Sequence, residues 1–180
     1  MIASISRYEV TGKLAIDYRA RYWCRKPYPD HQQGCPNYGK KKECPPQAPL
    51  IEDFLDLTKQ HWFVVVIFDL IFHARKMKDK HPNWTEKQCR CVLYWQNTVR
   101  KELRTACDLF ANRHPDELVY TLIPEAMGVH VIRTARLVGL PIKARPKDVI
   151  YKIALIGYTN NRRKKQLPKT YDILIYPDTM

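Results

Sequence analysis

Three cysteines, Cys24, Cys35 and Cys44, lie in an early segment of the chain that is rich in Pro, Gly, Tyr and Lys. Ten residues separate the first pair and eight residues separate the second. Such a composition favours neither a long helix nor a regular strand, so we expect residues 24–46 to form an irregular loop. Thiolates that converge on a metal would hold such a loop in one conformation. The segment therefore predicts a metal site built on a loop.

The spacing of these cysteines bears on which metal group they bind. Most structural zinc sites pair ligands about two to four residues apart, because a tight turn presents both thiolates to one small ion. Residues 24–46 contain no such pair. The longer intervals favour an iron–sulfur cluster of the 4Fe–4S type, whose corners can be reached from separate points of one loop. Three cysteine ligands would leave one iron of the cluster open to a small molecule or a sulfur atom. The alternative to a cluster is a zinc ion bound by Cys24, His31, Cys35 and Cys44.

The other three cysteines fall in a predicted long helix near residues 85–112. On a continuous helix, Cys89 and Cys91 face nearly opposite directions, and about 27 Å of rise separates Cys89 from Cys107. No two of them could then bind the same metal, and each is expected to be a buried thiol. The candidates for a fourth ligand are His31, Cys91 and Cys107.

The chain is strongly basic. Among its 180 residues, 31 Lys and Arg face 18 Asp and Glu, which gives a formal net charge of +13 and favours polyanionic partners such as RNA or DNA. Two groups of basic residues are candidates for phosphate contacts. The alternative for each is a solvated basic surface with no binding role. They comprise Lys40, Lys41 and Lys42 within the cysteine loop, and Arg162, Arg163, Lys164 and Lys165 in a late loop.

The length of the chain fits one domain covering residues 1–180. No apolar run approaches the length of a membrane span, and the first twenty residues lack a signal-peptide core. We therefore expect a cytoplasmic protein that does not contact a membrane. In a reducing compartment, its six cysteines are better interpreted as ligands or buried thiols than as disulfides.

The periodicity of apolar residues predicts a single α+β domain, with helices packed on a mixed sheet of about four or five strands. The run at 61–69 is β-branched and aromatic throughout, which is typical of a central strand covered on both faces. The other predicted strands are at 14–23, 117–122, 150–158 and 171–176, and the predicted helices are at 49–60, 85–112 and 124–138.

Two stretches of the chain contain motifs of a known kind. Residues 35–40, with Cys35, Tyr38 and Gly39, followed by Cys44-Pro45-Pro46, contain C-x-x-Y-G and C-P-P, and they resemble the cysteine-rich signature of an uncharacterised family of predicted metal-binding proteins, in which these motifs recur. Residues 124–131 and the turn at 139–142 resemble its C-terminal helix and glycine turn. The resemblance implies a metal or iron–sulfur site at the three loop cysteines, and it implies no reaction.

The chain departs from the family pattern in one respect. Members of the family usually carry a further cysteine cluster between the two motifs, whereas residues 110–122 contain no cysteine. We therefore expect one metal site and not two.

The sequence supports two hypotheses about function. The first is a cytosolic metal-binding protein whose single iron–sulfur cluster has an accessible iron for sulfur handling, Lewis-acid or redox chemistry. The second is a non-enzymatic zinc or cluster module that presents a basic surface to RNA or DNA. Neither hypothesis assigns a catalytic residue. The common hydrolase and nucleotide-binding motifs do not occur in the chain.

Overall fold

The fold centres on one four-stranded sheet. The computed structural model describes residues 2–27, 31–114, 117–144 and 146–160. The strands are β1 (Ile2–Glu9), β2 (His61–Asp69), β3 (Leu118–Thr121) and β4 (Val149–Tyr158), in the spatial order β1-β2-β4-β3. The predicted α+β class and the strands at 61–69, 117–122 and 150–158 are confirmed. The predicted strand at 171–176 lies outside the described residues.

Every neighbouring pair of described strands is antiparallel, so the part of the sheet that the structure describes is not the mixed sheet that was expected. The connection from β2 to β4 explains the direction of the central pair. Asp69 at the end of β2 pairs with Val149 at the start of β4, and the Leu70 N–H donates to the Asp148 carbonyl at 3.0 Å. The connection therefore leaves and returns at the same end of the sheet, which requires antiparallel strands.

Both faces of the sheet are buried. Along β2, Phe63 and Val65 point into one core cluster, while Val64, Val66 and Phe68 point into the other. The alternation follows the two-residue period of a strand. The predicted burial of 61–69 on both faces is therefore confirmed.

Helices cover the two faces unequally. The helices are α1 (Ile51–Phe54), α2 (Leu70–Lys80), α3 (Glu86–Cys89), α4 (Gln96–Ala111) and α5 (Val131–Leu137), with 3₁₀ helices at Tyr18–Arg25, Val92–Tyr94 and Pro124–Met127. The face of Phe63 packs against α1, α5 and the 3₁₀ helix at Pro124–Met127. The face of Val64 packs against α4 and the start of α2. No helix within these ranges is long and apolar enough to cross a membrane.

The predicted helix near 85–112 is interrupted. It consists of α3, the 3₁₀ helix at Val92–Tyr94 and α4. The Trp95 ring stacks on Phe68 with centroids 5.0 Å apart, and its indole N–H donates to the Arg90 carbonyl at 3.3 Å. This docking holds Trp95 at a φ of −133°, outside the helical range, so tertiary packing overrides the local helical pattern. The geometric argument that separated Cys89 from Cys91 on one helix therefore does not apply.

The predicted strand at 14–23 is also wrong. Tyr18–Arg25 forms a 3₁₀ helix because Asp17 caps it, with the Asp17 carboxylate accepting from the Arg19 backbone N–H at 3.0 Å. Only Ile16 makes a strand-like bridge, to Val129. Local side-chain capping thus competes successfully with strand pairing.

Two predicted helices are shorter than expected. The helix at 49–60 ends at Phe54, because Leu55 is extended and bridges to Thr159. The helix at 124–138 is divided at Gly128, whose φ is +95°. A side chain there would lie 2.7 Å from the Tyr18 ring, so the turn that separates the two helices needs glycine.

Candidate metal centre

Cys24 lies near the end of the 3₁₀ helix at Tyr18–Arg25, which docks on the turn around Gly128. The Asp17 N–H donates to the Gly128 carbonyl at 2.8 Å, and the His130 N–H donates to the Ala15 carbonyl at 2.8 Å. The Trp23 ring, next to Cys24, meets the His130 ring edge-on with centroids 5.0 Å apart. These contacts fix the position of Cys24 relative to the sheet.

Cys35 is joined directly to Cys24 through the backbone. The Cys35 N–H donates to the Cys24 carbonyl at 2.6 Å. Gly34, just before it, is buried and has a φ of +81°. A Cβ on Gly34 would collide with the Cys24 carbonyl oxygen and lie 2.8 Å from the carbonyl carbon of Arg25. Glycine therefore allows the two cysteine segments to approach closely.

Hydrogen bonds to the backbone around Cys44 anchor the far end of the loop. The Ala48 N–H donates to the Cys44 carbonyl at 3.0 Å, and the Gly39 N–H donates to the Pro45 carbonyl at 2.9 Å. The Arg21 guanidinium then donates to three carbonyls, of Pro46 at 3.0 Å, Ala48 at 2.8 Å and Pro49 at 3.2 Å. Arg21 thereby ties the end of the loop to the helix that carries Cys24.

The loop thiols are close enough to affect one another's ionisation. All three are half-buried and free. Burial raises the pKa of Cys24, and the charges of Cys35 and Cys44 raise it further. Burial also raises the pKa of Cys44, with a further rise from Cys35 and an opposing effect from Lys41. The structure thus gathers three thiols that are well separated in sequence.

The three thiols lie near one another, but their side chains are not arranged as a complete set of metal ligands. Across residues 2–27, 31–114, 117–144 and 146–160, no three His, Cys, Asp or Glu side chains form a group that could hold a metal ion as they stand. Among the candidate fourth ligands, His31 is exposed in the loop and Cys91 is half-buried before the 3₁₀ helix at Val92–Tyr94. Cys107 is fully buried in the core on the other face of the sheet, where burial raises its pKa to about 12.

A comparison with protein families identifies the loop as part of a known pattern. A family model described as a predicted metal-binding protein, DUF2284, matches residues 23–113, about half of the chain. The chain belongs to this family. The predicted family membership is therefore confirmed, although residues 124–131 and 139–142 lie outside the match. No curated protein and no solved structure matches the chain.

The donor set fits what the family description requires. The match with DUF2284 includes all three loop cysteines. The raised pKa values of Cys24 and Cys44 show that burial and the charges of neighbouring thiolates destabilise their thiolate forms, and a bound cation would relieve both effects. Thiolates select soft metals, including zinc and the iron of iron–sulfur clusters.

Glu125 lies near the cysteine site, although its position in the sequence did not indicate this. Its charge contributes to the raised pKa of Cys24. Burial raises the pKa of Glu125 itself, while Lys152 and His130 oppose that rise. Glu125 also lines a cavity of about 270 Å³, together with Lys143, Lys152 and apolar side chains of α5 and β4. The cavity therefore adjoins a residue that interacts with Cys24.

The lysines of the loop differ in exposure. Lys40 and Lys42 are exposed, whereas Lys41 is half-buried and acts on Cys44 by lowering its pKa. The second predicted basic cluster, at 162–165, lies outside the described residues. Sequence reasoning found the loop lysines from composition, but it missed Arg21 and Glu125 because their roles depend on contacts distant in sequence.

Proposed function

We propose that Cys24, Cys35 and Cys44 bind one iron–sulfur cluster that has one accessible iron. The observation that carries the proposal is the grouping of three half-buried thiols, each well separated in sequence, whose charges act on one another. Bringing thiolates together in a partly buried site costs free energy unless a cation neutralises them. Metal binding supplies that neutralisation, and it draws the three thiols into a finished site as it does so.

The spacing and the accessibility of the loop favour a cluster over zinc. The hydrogen bond between Cys35 and Cys24 joins two chain segments and not the two ends of one tight turn, so it differs from a zinc knuckle. Zinc held by Cys24, His31, Cys35 and Cys44 is the alternative. When bound, a cluster with an accessible iron supplies Lewis-acid, electron-transfer or sulfur-binding chemistry.

The residues around the thiols have separate roles in this proposal. Gly34 allows Cys35 to approach Cys24, and Arg21 keeps the Cys44 end of the loop against the 3₁₀ helix. Lys41 favours the thiolate of Cys44. Glu125 opposes the thiolate of Cys24 and lines the adjoining cavity, which offers space for a small-molecule ligand beside the site.

Single substitutions test the ligand set. After anaerobic reconstitution with iron and sulfide, Cys24→Ser, Cys35→Ser and Cys44→Ser should each lose most of the bound iron. Cys91→Ser is the matched control, because Cys91 is also half-buried and free but lies outside the loop. The control should bind as much iron as the unaltered protein. Equal loss in Cys91→Ser would make Cys91 a fourth ligand and would contradict the accessible iron.

A second candidate function is a non-enzymatic zinc or cluster module that binds RNA or DNA through the loop. The exposure of Lys40 and Lys42 beside the thiols favours it. Replacing both lysines with Gln should then weaken nucleic-acid binding and reduce its salt dependence, by about 0.7 in the logarithmic slope for each single-strand phosphate that is no longer neutralised. Unchanged affinity and slope would contradict a role for these lysines.

A further inference from the structure

A stack of three aromatic rings lies on the surface of the protein, where the end of α2 meets the 3₁₀ helix at Val92–Tyr94. The His81 and Trp84 rings are 4.0 Å apart at an interplanar angle of 12°, and the Trp84 and Tyr94 rings are 5.0 Å apart at 26°. Each contact is close to parallel. We call His81, Trp84 and Tyr94 the aromatic platform.

The platform belongs to the surface and not to the core. Tyr94 is 51% exposed, and its neighbours Val92 and Leu93 are 45% and 70% exposed. None of the three platform residues belongs to either core cluster. Burial in the core therefore does not explain why three aromatic rings are stacked here.

Several polar contacts hold the platform in place. The Lys78 ammonium donates to the Trp84 carbonyl at 2.7 Å, which joins the end of α2 to the platform. Thr85 and Gln88 form a capping box at the start of α3, directly after Trp84. Arg90 pairs with Glu86 at 2.9 Å and also donates to the Lys147 carbonyl. The exposed rings of His81 and Tyr94 and the half-buried ring of Trp84 are thus presented on a segment that is fixed from several sides.

The surroundings of the platform are cationic. Residues 70–91 contain six Lys and Arg residues against Asp79 and Glu86. Four of the six lie on α2, namely Arg75, Lys76, Lys78 and Lys80, and all four are exposed. Exposed aromatic rings beside a row of cations are the two elements that single-stranded nucleic acids need, because bases stack on the rings and phosphates pair with the cations.

We propose that the aromatic platform and α2 form a binding surface for single-stranded nucleic acid, RNA or DNA. A base stacks on the half-exposed ring of Tyr94, and the phosphates that follow contact Lys76 and Lys80. The positive charge of this surface favours a nucleic acid over a protein or peptide that has no excess of negative charge. The surface contains no residue of the cysteine loop, so the proposal does not depend on the bound metal.

Substitutions of Tyr94 test the stacking contact. Binding of fluorescent single-stranded RNA and DNA of the same sequence is measured by anisotropy with the full chain at low salt. Tyr94→Ala should weaken binding about tenfold, since it removes one base–aromatic stack, whereas Tyr94→Trp should retain it. Circular dichroism verifies that both variants are folded. Wild-type affinity in Tyr94→Ala, or an equal loss in Tyr94→Trp, overturns the stacking contact.

Substitutions of the lysines test the phosphate contacts. The double variant Lys76→Gln, Lys80→Gln should lower the slope of log affinity against log salt by about 1.4, because two phosphates of the single strand are no longer neutralised. The matched control replaces Lys13, in the turn after β1, and Arg133, on α5, with Gln and should keep the slope, because both residues are exposed away from α2 in the sequence. Equal effects in both double variants overturn the proposal. Absence of oligonucleotide binding together with binding to anionic lipid vesicles would identify a membrane contact and overturn it as well.

Discussion

Replacing Gly34 with Ala should disable the cysteine loop, whereas the same change at Gly39 should not. Both glycines have a positive φ, +81° and +72°, so alanine carries a comparable backbone cost at either position, about 1–2 kcal/mol. The surroundings differ. A Cβ at Gly34 would lie 2.8 and 2.9 Å from backbone atoms of Arg25, besides colliding with the Cys24 carbonyl, while a Cβ at Gly39 meets no atom within 4 Å.

The collision at Gly34 is with backbone, which cannot swing aside as a long side chain can. The Cys35 segment must move away from Cys24, and breaking the hydrogen bond between them costs about 1 kcal/mol more. We therefore expect Gly34→Ala to lower the free energy of unfolding by about 2–3 kcal/mol. Gly39→Ala should lower it by about 1–2 kcal/mol.

The difference should be larger in metal binding than in stability. Zn²⁺ titrated against a chromogenic chelator serves as a probe of thiol geometry, because zinc binds thiolates whether or not it is the native metal. Displacement of Cys35 should weaken Zn²⁺ binding at least about tenfold in Gly34→Ala, and by less than about threefold in Gly39→Ala. Urea unfolding of both metal-free variants gives the stability difference. Equal Zn²⁺ affinities in the two variants would refute the argument that Gly34 brings Cys24 and Cys35 together.

Three further predictions concern Arg21, the thiols and Glu125. Arg21→Lys should lower the free energy of unfolding by about 1–3 kcal/mol in urea titrations, because one ammonium does not reproduce the donor fork that reaches three carbonyls; an unchanged midpoint would count against the anchor. In the folded metal-free protein, iodoacetamide should modify Cys24 and Cys44 but not Cys107, as measured by mass spectrometry. Cys107 is fully buried and its pKa is raised to about 12, so early modification of Cys107 would contradict its place in the core. Because the charge of Glu125 raises the pKa of Cys24, Glu125→Gln should move the pH profile of Cys24 alkylation to lower pH, and an unmoved profile would exclude that interaction.

The pKa values of the thiols also fix the sign of a pH dependence of metal binding. The pKa values of Cys24 and Cys44 are raised in the metal-free protein, so both thiols are protonated at neutral pH and must lose protons when metal binds. Affinity should therefore increase with pH, roughly tenfold per unit for each proton released, until the pH exceeds those pKa values. A Zn²⁺ affinity that is flat between neutral and mildly alkaline pH would contradict thiolate ligation.

The parts of the fold that could be predicted are those with a strong local pattern. The β-branched run of β2 specifies a strand buried on both faces, and the apolar pattern of β4 specifies its partner. The prediction of one long helix near 85–112 was wrong at Trp95, where the ring stacks on Phe68, a residue far away in sequence. Single-sequence periodicity contains no information on such a contact, so the break could not be predicted.

The candidate metal site also has residues that the sequence could predict and residues that it could not. Composition and spacing were enough to single out Cys24, Cys35 and Cys44, and the structure brings their charges within range of one another. Arg21 and Glu125 were not predicted as part of the site. Arg21 acts on carbonyls 25 to 28 residues away, and Glu125 reaches Cys24 through the docking of the 3₁₀ helix on the turn at Gly128. Such roles arise only once the chain is folded.

The most direct test of the central claim is the metal content of the protein purified without oxygen. Iron, acid-labile sulfide and zinc are quantified, and visible absorption and EPR spectra are recorded on the same sample. We predict a coloured protein with about four iron and four sulfide per chain, as a 4Fe–4S cluster requires. A colourless protein with one zinc per chain would contradict the cluster. A protein that holds no metal, even after anaerobic reconstitution, would contradict the metal site itself.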